Sequence, residues 1–389
     1  MTFRAKLTRV LFLCSLLLFA TGLCVYSKET SAAAVEGLLL CGKVLIPSLF
    51  PFLVVSSIAI KCGIAEKIGK VLERPMQRLF NLPGACATAF ILGLIGGYPV
   101  GAANAIFLYR ARLCTKVQAE RLLAFCNNCG PAFILGVVGA SLFGGTSAGL
   151  LLYGAHILSS LLVGFIFRFY HRNDITLPSS SISDRKNQPA ISSLFTQSVK
   201  SSAQSVINVC AYVIFFSVAI KLLYLSGVIP FGARLLSSAL KPLDLSPIFT
   251  EKLIGGFLEL TTGVYGIASS KAALSARLCA AAFILGWAGL SVHFQVLDFM
   301  SDSGLSARPY VVGKLLHGAF SALFAYIGAL LIPFDVKTGN MIAGHISALA
   351  DTSPLMIFPV SLLFVITIWG FLWVLWLIFK ERIERRAKR

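Results

Sequence analysis

Charged residues are scarce in this chain. They make up 13% of its 389 residues, about half the share found in soluble domains. Hydrophobic residues reach 57%, and the mean hydropathy is +0.83, so too little polar surface exists to cover a water-soluble domain. The apolar runs are long and do not alternate, which favours membrane-spanning helices over barrel strands. The sequence therefore predicts an all-α polytopic membrane protein.

Acidic residues are also few, with 16 against 34 basic residues and a net charge of +18. Nucleic-acid binding is one interpretation of this balance, but the positions of the basic residues favour membrane topology. Of the 34 lysines and arginines, 24 lie in predicted cytoplasmic segments, as the positive-inside rule requires. These segments are 1–9, 61–78, 110–121, 168–200, 299–308 and 380–389. We expect a multi-pass protein of the cell membrane with both termini in the cytoplasm, lipid as a partner and no nucleic acid.

Motifs for catalysis or metal binding are absent from the sequence. Its five histidines are scattered, its ten cysteines form no disulfide framework, and neither a nucleotide-binding loop nor a catalytic triad is visible. Cys126 and Cys129 form a lone C-x-x-C, which we interpret as two packing residues. We expect no catalytic residue, no metal site and no cofactor, and leave open a coupling proton or sodium ion.

The first hydrophobic run, Val10–Tyr26, follows three basic residues and resembles a signal peptide. Residues 31–33 offer a cleavage region, but the run is also long enough for a short span. We favour a retained signal-anchor helix over residues 1–31, because removal would force reassignment of the next basic loop.

Two further runs are too short to span, since a spanning helix needs about 20 residues. Leu82–Tyr109 is interrupted at Gly96–Gly101 between basic flanks, and Leu253–Ala273 is interrupted at Glu259–Gly263. We interpret each as a re-entrant hairpin. About eight spans accompany them: Val10–Tyr26, Ala32–Ile60, Leu122–Phe143, Ala148–Phe167, Val206–Leu225, Leu278–Phe299, Pro309–Pro333 and Leu355–Phe379.

Two short sequences occur twice, which predicts an internal repeat. The pentapeptide at 57–61 returns with one change at 217–221, and that at 132–136 returns unchanged at 282–286. The equivalent spans run in opposite directions, so we expect inverted-topology repeats with a site near the bilayer midplane. The predicted divisions are an anchor (1–31), a first repeat (32–172), a polar cytoplasmic linker (173–200), a second repeat (201–333), and a last helix with a basic tail (334–389).

Hairpin tips leave backbone groups unpaired, which lipid tolerates only where they face protein or a water-filled cavity. The tips are therefore the first candidates for a substrate site. In the first hairpin the candidates are Gly96, Gly97, Tyr98 and Pro99, which offer backbone amides and one phenol. Packing of small residues between helices is the alternative interpretation.

Glu259 is an ionisable residue deep in the second apolar hairpin, followed by Thr261 and Thr262. Such a residue is a functional candidate by default, and it could take a proton, bind a cation or accept hydrogen bonds from a substrate. The alternative is a structural carboxylate with its hydrogen bonds satisfied.

Polar residues also interrupt the spans expected to face the hairpins. We predict that Asn127 and Asn128 line the site in the first half, with Ser291, His293 and Gln295 in the second. Residues two apart do not share a helical face, so all three of the latter reach one cavity only if the helix unwinds there. Lys314 and His317 share a face and either complete a polar path or lie at the cytoplasmic end of a span.

Several of these motifs together resemble the nucleoside-recognition, or Gate, domain family, and more narrowly its sporulation integral membrane protein branch (YlbJ type). The likeness covers roughly residues 35–375. The segments that carry it are 45–52, 96–101, 119–122, 127–131, 259–263 and 289–295. The resemblance implies two repeat halves with re-entrant hairpins, as in concentrative nucleoside transporters.

The resemblance further implies a permease of endospore formation that moves dipicolinic acid towards the forespore, with the outer forespore membrane as its location. Two alternatives stay open: a nucleoside or other small-metabolite permease of the same fold, and a non-transporting membrane scaffold. The expected partners are a small molecule (dipicolinate or nucleoside-like) and the lipid bilayer, and a homo-oligomer is left open.

Overall fold

A computed structural model of the chain describes residues 3–61, 64–171, 191–239 and 245–331. Every regular element in these ranges is helical, which confirms the all-α class. The α-helices are α1 (Phe3–Val25), α2 (Ser27–Leu40), α3 (Ile46–Lys61), α4 (Ile64–Pro75), α5 (Cys86–Gly96), α6 (Val100–Arg110), α7 (Lys116–Cys126), α8 (Thr146–Phe167), α9 (Ile191–Leu225), α10 (Val228–Ala239), α11 (Pro247–Leu258), α12 (Leu260–Ala268), α13 (Leu274–Trp287), α14 (Gly289–Met300) and α15 (Ala307–Leu331). Three π-helical segments accompany them: Cys41–Leu45, Met76–Phe80 and Ala132–Leu142.

Four helical stretches of the described residues are long and apolar enough to cross a membrane: Thr146–Phe167, Ser192–Leu225, Leu274–Met300 and Ala307–Leu331. The helix α2, the π segment Cys41–Leu45 and α3 follow one another without a break, where the sequence predicts the single span Ala32–Ile60. The last predicted helix and the basic tail, 334–389, lie outside the described residues. So does the linker as far as residue 190, and α9 begins inside its predicted range.

Two pairs of short antiparallel helices, α5–α6 and α11–α12, occupy the positions predicted for hairpins. The first pair turns at Gly97–Pro99, where Gly97 has a φ of +79° and the Tyr98–Pro99 peptide is cis. The second pair turns at Glu259, whose backbone is extended. Their re-entrant placement in the bilayer stays a prediction.

Each hairpin turn packs against a break in a longer helix. In the first half, residues 127–130 are non-helical between α7 and the π segment Ala132–Leu142, and a Cβ on Gly97 would lie 3.0 Å from the Gly130 nitrogen. In the second half, Leu278–Phe299 was expected as one helix, but Ala288 at φ 78° and Gly289 at φ 74° separate α13 from α14. A Cβ on Gly289 would lie 2.9 Å from the Leu260 nitrogen, so this break faces the second turn.

Glycines allow the first hairpin to approach α7 closely. A Cβ on either Gly93 of α5 or Gly101 of α6 would overlap the carbonyl oxygen of Cys126. The carbonyl oxygen is thus held between the two arms of the hairpin. Helix α15 packs against α13, α8 and α7. Its side chains therefore lie within reach of both hairpin turns and of the helix breaks that they face.

Candidate functional site

Lys314 of α15 is the centre of a buried polar cluster. Its side chain has no exposed surface in the structure. Its Nζ lies 2.8 Å from the Tyr98 hydroxyl in the first hairpin turn and 2.9 Å from the Asn127 carbonyl in the broken helix. The third neighbour is His317 Nδ1 at 3.1 Å, one turn along α15. Lys314 thus connects α15 to both unwound segments of the first half.

Hydrogen-bond roles define how many protons this group holds. The Tyr98 hydroxyl donates to the Leu285 carbonyl at 2.7 Å, so its oxygen accepts from Lys314. His317 Nε2 lies 2.9 Å from the His156 carbonyl, which only accepts, so this nitrogen carries a hydrogen. With His317 Nε2 protonated and two oxygens accepting from Lys314, the contact between Nζ and Nδ1 needs one further proton. That proton gives the Lys314–His317 pair a single positive charge, whichever of the two nitrogens holds it.

Tyr98 connects the two halves of the chain through one hydroxyl. Its acceptor, the Leu285 carbonyl, lies three residues before the break at Ala288. The Lys314 Nζ is also 4.7 Å from the Tyr98 ring centroid, a distance at which a cation and an aromatic face attract each other. The first hairpin turn, the second broken helix and the lysine therefore share one contact network.

His156 of α8 extends this cluster behind the broken helix. Its Nε2 accepts a hydrogen bond of 3.0 Å from the Cys129 backbone N–H, a donor that the helix break leaves without an intrahelical acceptor. The His156 and His317 rings are 4.3 Å apart, centroid to centroid. His156 therefore holds the unwound backbone in place while its other nitrogen, Nδ1, has no partner.

Several buried polar atoms around Lys314 have no hydrogen-bond partner. Asn127 Nδ2 and the Tyr310 hydroxyl lie close to each other without forming a hydrogen bond of acceptable geometry. His156 Nδ1 and His293 Nε2 are likewise unpartnered. Because a buried unpaired polar group costs roughly 1–3 kcal/mol, this concentration beside Lys314 makes the cluster the first candidate for a binding site.

The first-half residues predicted for the site have different positions in it. Tyr98 and Asn127 contact Lys314 directly. Gly96 ends α5, and Gly97 and Pro99 form the turn that presents Tyr98. Asn128 donates to the Phe125 carbonyl through Nδ2 at 3.0 Å, and its Oδ1 has no partner.

In the second half, the carboxylate of Glu259 caps helix α12. Its Oε1 and Oε2 accept hydrogen bonds from the backbone N–H groups of Thr261 and Thr262 at 2.9 and 2.7 Å. These two contacts support the structural alternative for Glu259, a carboxylate whose hydrogen bonds are satisfied within the protein. The carboxylate makes no hydrogen bond to Lys314.

Ser291, His293 and Gln295 are all buried on α14, although the helix unwinds before them, at Ala288. His293 donates through Nδ1 to the Gly289 carbonyl at 2.8 Å. Its ring centroid is 4.1 Å from that of Trp287 and 5.2 Å from that of Tyr310. His293 therefore reaches the Lys314 cluster through Tyr310.

Sequence reasoning missed His156 and Tyr310. The signal for His156 is a row of polar residues in an otherwise apolar helix, since Ser159 and Ser160 follow it by three and four residues and all three are buried. Tyr310 lies four residues before Lys314 and shares its helical face.

A second polar cluster lies in and next to the segments predicted to be cytoplasmic. The buried Arg121 guanidinium donates to the carbonyl groups of Tyr170, Asn81 and His171 at 2.7, 3.0 and 2.9 Å. Glu120 accepts from the Ser306 backbone N–H at 2.8 Å and from the Tyr170 hydroxyl at 3.3 Å. Burial, with the Glu120 carboxylate beside it, raises the pKa of Tyr170. These contacts join the loops before α5, after α8 and before α15.

Within the described ranges, no group of three or more histidine, cysteine or acidic side chains is arranged to hold a metal ion. Cys126 and Cys129 are buried free thiols. Cys126 donates to the Gly101 carbonyl at 3.4 Å, a packing contact between the hairpin and α7.

The fold and the cluster define an all-helical integral membrane protein with a buried cationic site where broken helices meet hairpin turns. Residues 43–146 match the family model described as Gate, nucleoside recognition. Over 334 residues the chain is 29% identical to "Sporulation integral membrane protein YlbJ" of Bacillus subtilis (strain 168), covering 82% of each protein. These matches confirm the resemblance to the Gate family and its YlbJ branch.

Among solved structures, the chain is similar to a variant of the concentrative nucleoside transporter CNTnw in an outward-facing state. The similarity covers 85% of this chain and 87% of that one, with 14% identity and a TM-score of 0.47.

Proposed function

We propose that this protein is a membrane transporter of a small anionic metabolite that acts in spore formation, with dipicolinic acid as the first substrate to test. The role in sporulation rests on the similarity to a sporulation integral membrane protein. The transport role rests on the site, where unwound helices surround a buried charge in a membrane protein.

The observation that carries the anionic substrate class is the hydrogen-bond arrangement at Lys314 and His317, whose contacts are all satisfied only when the pair holds one positive charge. The hydrogen-bond partners of Lys314 Nζ are a phenol, a backbone carbonyl and an imidazole, and none of them is a carboxylate. A charge buried without a counter-ion is costly, and an anionic ligand would offset that cost. The unpartnered donors Asn127 Nδ2 and Tyr310 Oη beside it are suited to carboxylate oxygens.

Dipicolinate carries two carboxylates and a ring nitrogen, so it presents only acceptors to this arrangement of donors. A nucleoside is the second candidate substrate, favoured by the match of residues 43–146 to a nucleoside recognition model. A nucleoside is uncharged, however, and would leave the charge at Lys314 uncompensated. This difference in charge makes the two substrates separable by mutating Lys314.

The test is uptake of labelled dipicolinate into proteoliposomes by wild-type protein and by Lys314→Met, with Lys200→Met as the matched control. Lys200 is exposed on α9, and loss of its charge leaves the cluster intact. We expect saturable uptake by wild type and by Lys200→Met, and a loss of at least 10-fold in Lys314→Met, since a charged hydrogen bond contributes about 1.5–3 kcal/mol.

Unlabelled uridine and dipicolinate are then compared as competitors. Inhibition by dipicolinate alone supports the anionic class. Uridine uptake that persists in Lys314→Met would contradict the anionic class and support a nucleoside permease instead. Folded wild-type protein that moves neither compound would contradict transport of both classes and favour the membrane scaffold.

A further inference from the structure

The three acceptors around Lys314 Nζ form a set of ligands that would suit a free monovalent cation. They are a backbone carbonyl of a broken helix, a phenolic oxygen and an imidazole nitrogen, all within 3.1 Å of Nζ. Each comes from a different place: the Asn127 break, the Tyr98 turn and the His317 position on α15. Half-helix ends and unwound carbonyls of this kind coordinate coupling cations in secondary transporters.

We propose that the Lys314 ammonium group is a resident cation that fills this position, so that the protein needs no sodium ion to hold its first hairpin turn against its first broken helix. The proposal deepens the proposed function and rests on it for its consequence in transport. The anion then meets a positive charge that belongs to the protein.

The contacts of Lys314 support a bound rather than a mobile ammonium group. Its three hydrogen bonds use all the donors that an ammonium nitrogen has. The groups that accept them are a phenol, a backbone carbonyl and an imidazole, and none of the three carries a fixed negative charge. The ammonium group is therefore the source of positive charge in the cluster, shared at most with His317.

Helix packing holds the ammonium group at one depth. A Cβ on Gly313, the residue before Lys314, would overlap the carbonyl oxygen of Ala124 on α7, and a Cβ on Gly318 would lie 3.0 Å from the Phe283 carbonyl oxygen on α13. Two glycines thus place α15 in direct backbone contact with both neighbours on either side of Lys314. Such packing leaves little freedom for the side chain to withdraw.

The first experiment measures thermal unfolding of purified Lys314→Ala in detergent. The substitution removes the ammonium group and its alkyl chain but leaves the three acceptors. Melting temperatures are compared in choline chloride, in sodium chloride and in choline chloride with ethylammonium, at equal ionic strength. Ethylammonium carries the charge of the missing group and is one carbon shorter than the removed propylammonium fragment, so it fits the space that the substitution leaves. Wild type and Lys200→Ala are the controls.

We expect saturating ethylammonium to raise the melting temperature of Lys314→Ala by on the order of 5 °C. Sodium should raise it by a smaller amount. The wild type and Lys200→Ala should melt at the same temperature in all three solutions. A Lys314→Ala protein that responds to neither cation would overturn the proposal, as would a wild type that is stabilised by sodium.

Lys314→Met is the second variant, because alanine leaves a cavity that can prevent folding. Methionine fills most of the volume but leaves the three acceptors without a donor, so we expect a melting temperature well below that of wild type. If Lys314→Met melts at the same temperature as wild type, the three acceptors need no cation. These measurements need no substrate, so the resident cation and dipicolinate transport can fail independently.

Discussion

Lys314 Nζ and the Tyr98 hydroxyl are 2.8 Å apart although 216 positions separate them in sequence. The same hydroxyl donates to the Leu285 carbonyl at 2.7 Å. One phenol thus connects the first hairpin turn to the lysine and to the second broken helix. Each of the two hydrogen bonds is buried.

Tyr98→Phe should therefore remove two buried hydrogen bonds while the ring stays in place. We expect the free energy of unfolding to fall by about 1–3 kcal/mol and dipicolinate uptake to fall with it, because Lys314 loses a partner that fixes its position. Thermal unfolding and proteoliposome uptake measure the two effects. Tyr265→Phe, on an exposed side chain of α12, is the control. Equal results for the two variants would contradict a linking role for Tyr98.

Gly313→Ala should force α15 away from α7, because a Cβ there overlaps the Ala124 carbonyl oxygen. Overpacking of this kind costs about 1–3 kcal/mol. We expect a lower melting temperature and weaker uptake, since Lys314 is the next residue. Gly154→Ala in α8 makes the same change where no atom lies within 4 Å of the new Cβ, and should be neutral or slightly stabilising. The prediction is wrong if the two substitutions have the same effect.

Arg121→Lys tests the cluster that joins three loops. The arginine donates to three carbonyl groups from a planar group that lysine does not reproduce. We expect a loss of about 2 kcal/mol and faster proteolysis near residues 170–171. Arg110→Lys is the matched control, since Arg110 is exposed and makes a single 3.3 Å bond to the Phe299 carbonyl. Unchanged stability in Arg121→Lys would show that this cluster does not stabilise the fold.

Glu259→Gln tests whether Glu259 acts only as a helix cap or also takes part in transport. Both carboxylate oxygens accept backbone N–H groups, and glutamine replaces one acceptor with a donor. We expect a loss of about 1 kcal/mol, with uptake per folded molecule close to wild type. Glu36→Gln, exposed on α2, controls for loss of the charge alone. If uptake disappears while stability is unchanged, Glu259 acts on the substrate or its coupling ion.

The sequence predicted the helical class, the two hairpin turns and the first helix break, because these depend on local chemistry. Composition and long apolar runs indicated membrane helices. Glycine and proline around Tyr98 marked the first turn, and the Asn127–Pro131 segment marked the first break. In the second half, the break falls at Ala288, a residue type that rarely adopts positive φ, and no sequence rule would have placed it there.

The assembly of the cluster could not be predicted, because it depends on contacts between distant segments. His156 acts on the Cys129 backbone and Lys314 on the Asn127 carbonyl, and neither pair shares an element. Glu259 shows the opposite case. Its depth in an apolar segment indicated function, whereas its hydrogen bonds are to the two residues just after it in sequence, Thr261 and Thr262.

The Cys126 carbonyl oxygen between Gly93 and Gly101 has a mechanical consequence. An oxygen enclosed by two glycine backbones blocks sliding of the hairpin along α7, because any neighbouring side chain would collide with it. Helices α5, α6 and α7 should therefore move as one rigid body, and the hinge of any opening motion must lie outside them. Distances from spin labels on α5 and α7 should stay constant between substrate-free and substrate-loaded protein while distances from either helix to α13 change.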